Sequence, residues 1–350
     1  MQLSGSFSNL ELQSASKSSL IIGVGSAGCR IVSQLHDLGT QVDKFCFVSC
    51  DEGDLTFCTG GDKLLIPYET RRKATPSLVR GIGSRYLPEI RTVLKDYSFV
   101  FVVAGLGGKV GSGLAPLIAA TASELGATVI CVAVMPYQFE KAKHFYAGVA
   151  LRHLRTLSQG VIVVDNDEFL VSAPKKPLLQ LYRQANENVC SAINRILAPP
   201  NEKEFGIGLI KFMDTVTHDG YSILSLQRTP SANSAEEVVN ATVQSIYRTT
   251  APGEASRALL YLVSDENFSA NEMSASVSRL GNLLGGSTQI DYGMSMGGAG
   301  DLSAILLASG FKTTKFDDYD PLSNVLIGRE LDFEPESALH LRIEGLLNIE

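Results

Sequence analysis

No stretch of this sequence approaches roughly 18 consecutive apolar residues, so a membrane-spanning helix is not expected. Basic side chains do not dominate either. Thirty Lys and Arg stand against 37 Asp and Glu, a net charge of −7, which argues against a nucleic-acid footprint on the whole chain. Cysteine is sparse, with six in 350 residues, too few for a disulfide scaffold. Cys46, Cys50 and Cys58 fall close together, but no Cys-x-x-Cys pair or nearby His completes a zinc set, and buried thiols account for them. The five histidines form no triad or metal pattern, so no metal-ligating residue is assigned. The Ser-rich start, MQLSGSFSNLELQSASKSS, lacks the charged head and apolar run of a secretory signal and reads as a flexible tail over 1–18. A reduced, cytoplasmic protein is the expectation.

What is present is globular. Apolar residues make up 45% of the chain, enough for a buried core, and the length suggests about two domains. Strand and helix signals alternate through the first half. Ser19 to Val24, Phe45 to Val48, Ser98 to Ala104, Ala127 to Met135 and Val161 to Val164 read as strands, several apolar on both faces. Helices are expected over Ala27 to Leu38, Gly113 to Leu125 with Pro116 in its first turn, and Gly148 to Leu157. The polar stretch Thr59 to Ser84 reads as loops with a short helix. This pattern predicts an open, mostly parallel α/β sheet covered on both sides. One long helix follows, Pro177 to Leu197. Then come a smaller α+β unit, with capping boxes at Ser234 and Ser269 opening helices, and an acidic segment from Thr313 with a short amphipathic helix near Ser337 to Leu347. The expected divisions are a tail at 1–18, a nucleotide-binding domain at 19–176, a central helix and loop at 177–222, an α+β domain at 223–312 and a tail at 313–350.

Eight of the 32 glycines cluster in two loops. Gly23-Val-Gly25-Ser-Ala-Gly28 satisfies G-x-G-x-x-G between strand and helix, where backbone N–H groups and the helix dipole can meet a phosphate. With Asp51 ending the next strand, this loop alone suggests an NAD-dependent oxidoreductase. The second loop, Gly105-Leu-Gly-Gly-Lys-Val-Gly-Ser-Gly113, also enters a helix, and two cradles suit a triphosphate held from two sides. It is not a Walker A loop, because Lys109 is followed by Val110 and position 103 is Val.

GLGGKVGSGLAP resembles the signature loop of the tubulin/FtsZ superfamily, whose core reads G-G-G-T-G-[ST]-G. The likeness continues in order through ELGATVICVAVMPYQFE, VDNDEFL, the long helix and IDYGMSMGGAGDLSAILLASGF, covering about Leu20 to Phe311. The resemblance implies a Rossmann-like GTP-binding domain, a long central helix and a smaller α+β domain, the tubulin/FtsZ fold closest to FtsZ-type proteins. It also implies GTP or GDP as ligand, Mg2+ as an optional companion, and head-to-tail self-assembly with nucleotide between subunits. By motif, Gly25, Ser26, Ala27, Gly28, Gly107, Gly108, Lys109, Gly111, Ser112 and Gly113 would face phosphate. Glu140 would lie near the ribose, Tyr182 would stack on guanine, and the Glu187 carboxylate would pair with its two Watson–Crick donors.

Several positions depart from the family pattern. Lys109-Val110 replace Gly-Thr, which sets a cation either beside the γ-phosphate or out in solvent. Arg30 and His144 replace other family residues. Where N-x-D-x-x-D is expected, Leu209-Ile-Lys211-Phe-Met-Asp214 keeps one acid, Asp214, as the catalytic residue acting on the neighbouring subunit's nucleotide. Losing the partner acid predicts slow or absent hydrolysis, by about 10²–10⁴-fold. Expected partners are other copies of the chain, other FtsZ-like filaments or an adaptor binding the tail, without direct membrane insertion. The alternative is a nucleotide-free or non-polymerising paralogue serving as scaffold or regulator of another filament.

Overall fold

The computed structural model describes residues 18–68, 74–172, 175–199, 204–217, 219–228, 234–253, 255–265, 268–297 and 302–321. The N-terminal tail before Ser18 and the tail helix expected at Ser337 to Leu347 lie outside the described residues.

The first half runs β1 (Ser19–Val24), α1 (Gly25–Asp37), β2 (Lys44–Ser49), α2 (Glu52–Thr56), β3 (Asp62–Leu65), α3 (Pro76–Gly83), α4 (Leu87–Leu94), β4 (Phe99–Gly105), α5 (Lys109–Glu124), β5 (Thr128–Met135), α6 (His144–Leu157), β6 (Gly160–Asp165) and α7 (Asn166–Ser172). The long α8 (Leu178–Leu197) leads to β7 (Glu204–Phe205), α9 (Gly208–Val216), β8 (Tyr221–Arg228), α10 (Ala235–Thr249), β9 (Arg257–Ser264), α11 (Ala270–Leu284), β10 (Gln289–Met296) and β11 (Ser303–Phe311).

All strands join one sheet in the order β3-β2-β1-β4-β5-β6-β8-β11-β9-β10-β7. The first six are parallel, and β8 continues the sheet beside β6 through Val161–Tyr221 to Val163–Ile223. Beyond it the pairing turns antiparallel at β8–β11 and β11–β9. The apolar runs of β1, β4 and β5 need a cover on both faces, and both are covered. Leu20, Ile22, Val100 and Val102 pack toward α3 to α6, whereas Ile21, Phe101 and Val103 pack toward α1, α8 and α9. Each of these cores extends under the second half, reaching Leu260 and Leu306 on one face and Leu259 and Ile305 on the other.

Three expectations change. The helix after β4 begins at Lys109, four residues before Gly113, so Pro116 sits inside it rather than in its first turn. The glycine-rich loop folds into helix because a Cβ at Gly111 would lie 2.2 Å from the Gly105 carbonyl oxygen, and glycine alone lets the first turn seat on the strand end. The polar stretch holds an edge strand, β3, as well as the helix α3, whose start is capped by Thr75 Oγ1 accepting from Leu78 N–H at 3.2 Å. The capping box is complete at Ser269, with Glu272 closing it from both sides. At Ser234 the hydroxyl accepts from Glu237 N–H.

Candidate functional site

In the first half the strand order is 3-2-1-4-5-6, so the connection direction reverses between β1 and β4. Open α/β sheets leave a crevice at such a switch point, beyond the carboxyl ends of the strands. A cleft of about 1240 Å³ opens there, floored by Val24, Gly105 and Met135 at the ends of β1, β4 and β5.

Two helix N-termini meet at its floor. Neither α1, entered from Val24, nor α5, entered from Gly108, has a side-chain cap. Their first-turn N–H groups are therefore free of the usual side-chain acceptor. Gly25 holds φ +68°, and a Cβ there would stand 3.2 Å from both Gly111 N and Val110 Cβ, so the two loops touch across the cleft floor. Val110 is the residue that fills this contact.

Of the residues the motifs single out, Gly25, Ser26, Ala27, Gly108, Lys109, Gly111, Glu140 and Tyr182 line the cleft. Others lie behind it. Gly28 seats α1 on β4, and a Cβ there would approach Val103 O to 2.2 Å. Ser112 is buried and does not line the cleft, and its hydroxyl accepts from Gly107 N–H at 2.7 Å, which engages that amide inside the loop. Gly113 packs against Pro76 and Val79 of α3.

The far wall is aromatic. Tyr182 donates to Glu140 Oε1 at 2.8 Å and meets Tyr137 edge-on at 5.0 Å, which fixes its ring from two sides. Glu140 also accepts from Tyr137 N–H at 3.0 Å and pairs with Lys143. Desolvation pushes the Glu140 carboxyl up, but Lys143, Tyr182 and the Tyr137 amide outweigh it and hold it below the usual glutamate range. Burial, and then the bond to Glu140, push the Tyr182 phenol up.

Glu187 is exposed and does not line the cleft, whereas Asn186 and Arg183 do. On a helix with about 3.6 residues per turn, positions four apart share a face and positions five apart do not. Asn186, one turn after Tyr182, is the polar group beside the aromatic wall. The i, i+4 spacing from Tyr182 is the sequence signal that identifies it. Tyr68 and Lys143 also line the cleft without having been singled out. Arg30 is exposed at its edge, while His144 turns away, stacked on Tyr319 at 3.8 Å with Nε2 3.2 Å from Tyr137 O. Asp51, the ribose acid of the dinucleotide reading, also lines the cleft and caps α2 by accepting from Gly53 N–H at 2.8 Å.

Asp214 is exposed on α9, one turn after Lys211, whose Nζ pairs with Asp291 at 3.0 Å. That helix ends against the start of β6, where a Cβ on Gly160 would meet Val216 O at 2.3 Å. The cleft lies past the other end of the same strand, at Asn166. Six residues of strand separate the two edges by about 20 Å. Among the described residues no cluster of three His, Cys, Asp or Glu side chains is arranged to hold a metal ion, and no helix is long and apolar enough to cross a membrane.

Residues 18–173 match the Tubulin/FtsZ family, GTPase domain. The chain is 34% identical over 183 residues to "Cell division protein FtsZ 1" of Pyrococcus horikoshii, covering 50% of this chain and 49% of that protein. The chain thus spans about half the length of the curated relatives it matches. Its fold superposes on an empty FtsZ dimer from M. jannaschii with a TM-score of 0.74 at 20% identity, covering 87% and 94% of the two chains. CetZ2 from Haloferax volcanii, solved as a GTPγS-bound protofilament, superposes with a TM-score of 0.69 at 20% identity over 88% and 98%.

Proposed function

We propose that this chain, which matches the Tubulin/FtsZ GTPase domain over residues 18–173, is a divergent member of that superfamily, binds GTP in the cleft between β1 and β4 and assembles head to tail. In this reading the uncapped starts of α1 and α5 receive the phosphates, Glu140 lies by the ribose, and Tyr182 with Asn186 meets the base. An amide offers guanine one acceptor for N1–H or the 2-amino group and donors for O6.

The observation that carries the assembly is the position of α9. Asp214 is exposed on α9, whose end packs at the start of β6, with the length of that strand, about 20 Å, between there and the cleft, so it would approach a nucleotide in another copy of the chain. Exposed apolar side chains flank both edges, Phe57 and Leu179 at the cleft and Phe205, Ile210 and Met296 toward α9 and the last strands. Such surfaces fit a stacked interface. With Lys211 tied to Asp291 and Asp214 the single acid left, hydrolysis is slow.

Sedimentation and GTP turnover over a protein concentration series test this reading. Pelleting that requires GTP, with turnover that rises more than linearly with concentration, is expected. A Lys211→Asp/Asp291→Asn variant, which restores the second acid without facing it against another, should raise turnover about tenfold or more. Protein that neither retains nor binds GTP and stays in the supernatant refutes it.

A further inference from the structure

Lys109 occupies a position that local helix energetics disfavour. It is the first residue of α5, where the dipole's positive end and the unpaired N–H groups repel a cation. The side chain is nevertheless exposed into the cleft. Its Nζ stands 5.2 Å over the Tyr68 ring, and hydrogen bonding to Tyr68 pushes its pKa further up, so it stays charged. No carboxylate among the described residues pairs with it. Asp51 across the cleft favours the charged ammonium without reaching ion-pair distance, so a cation unpaired by direct contact stands beside two uncapped helix starts, an arrangement that suits an anion.

Resting on the nucleotide reading above, we propose that Lys109 is the built-in counter-charge of the triphosphate. It neutralises the terminal phosphate in place of a divalent cation, so this chain binds nucleoside triphosphate with little dependence on Mg2+. The three N–H donors of the ammonium suit terminal phosphate oxygens, and the Tyr68 ring under Nζ restrains the charged end so that less freedom is lost on binding. The same charge discriminates triphosphate from diphosphate, because the group it meets exists only in the former.

Titration of fluorescent GTP and GDP against the full chain, in Mg2+ and in EDTA, tests the proposal with wild type, Lys109→Met and Lys109→Arg. Wild type should change affinity for GTP by no more than about threefold on removing Mg2+. Lys109→Met should lose about 10- to 100-fold for GTP in EDTA, recover much of it in Mg2+, and lose little for GDP. Lys109→Arg should behave as wild type. Thermal unfolding without nucleotide adds an independent readout: Lys109→Met should be at least as stable as wild type, since it removes a cation from a helix start. Equal Mg2+ dependence in wild type and Lys109→Met overturns the proposal while leaving GTP binding intact. Absence of binding by wild type in both buffers overturns the nucleotide reading and this proposal together.

Discussion

Replacing Asn186 with alanine, and separately Glu187 with alanine, decides which residue of α8 meets the base. Each residue of an α-helix advances about 100°, so Asn186 is turned about 40° from Tyr182 and Glu187 about 140°. Tyr182 is held at the cleft wall by its bond to Glu140 and its contact with Tyr137, which makes it a fixed reference for that face. Asn186 lines the cleft, whereas Glu187 is exposed outside it. Two neutral hydrogen bonds to the base, at about 0.5–1.5 kcal/mol each, set the loss for Asn186→Ala at about 1–3 kcal/mol, or roughly 5- to 150-fold in GTP affinity. Glu187→Ala should stay within about twofold, since a solvated charge outside the cleft contributes little. Asn186→Asp supplies a carboxylate for N1–H and the 2-amino group, and should widen the preference for GTP over ITP, which lacks that amino group. Competition of GTP, ITP and ATP against labelled GTP, with thermal unfolding of each variant as the folding control, measures all three. If Glu187→Ala loses GTP while Asn186→Ala keeps it, the assignment by helix face is refuted.

Gly111→Ala places a methyl 2.2 Å from a backbone oxygen that no side-chain rotation can relieve. It should cost about 1–3 kcal/mol in urea unfolding and weaken nucleotide binding with it, whereas wild-type stability would contradict the loop packing. Lys315→Met strips the buried Asp165 of its cation, leaving Thr249 Oγ1 as its side-chain donor at 2.8 Å, and should cost about 3 kcal/mol. Burial already raises the Asp165 pKa above 3.8 despite Lys315, and removing the lysine raises it further. The native state then holds its proton over a wider range than the unfolded state, so stability falls as pH rises through that window. Urea midpoints at about pH 5 and about pH 8 should show the gap from wild type widening toward the higher pH, and a gap that narrows would overturn the linkage.

What was legible in the chain was whatever local chemistry decides. The strands β1, β4 and β5 announced themselves because burial on both faces leaves no polar alternation, and the capping box at Ser269 fixed the start of α11. The two glycine loops were legible as backbone approaches, and their meeting at Gly25 and Gly111 gives those glycines their reason. The sequence hid what depends on partners distant along the chain. Lys109-Val-Gly-Ser reads as a loop by propensity, yet it forms the first turn of α5 because the close fit against Gly105 outweighs the entropy cost of glycine in a helix. The hydroxyl of Ser112 is buried and accepts from Gly107 N–H, a contact five residues away along the chain that the motif does not announce. Most consequential is the β6–β8 pairing, which joins residues about Val161 to others about Tyr221 and makes one sheet of what composition divides into two units. That continuity ties the cleft at one end of β6 to α9 at the other through a strand rather than a hinge. The proposed head-to-tail contact at α9 would therefore bear on the same strand whose far end borders the cleft.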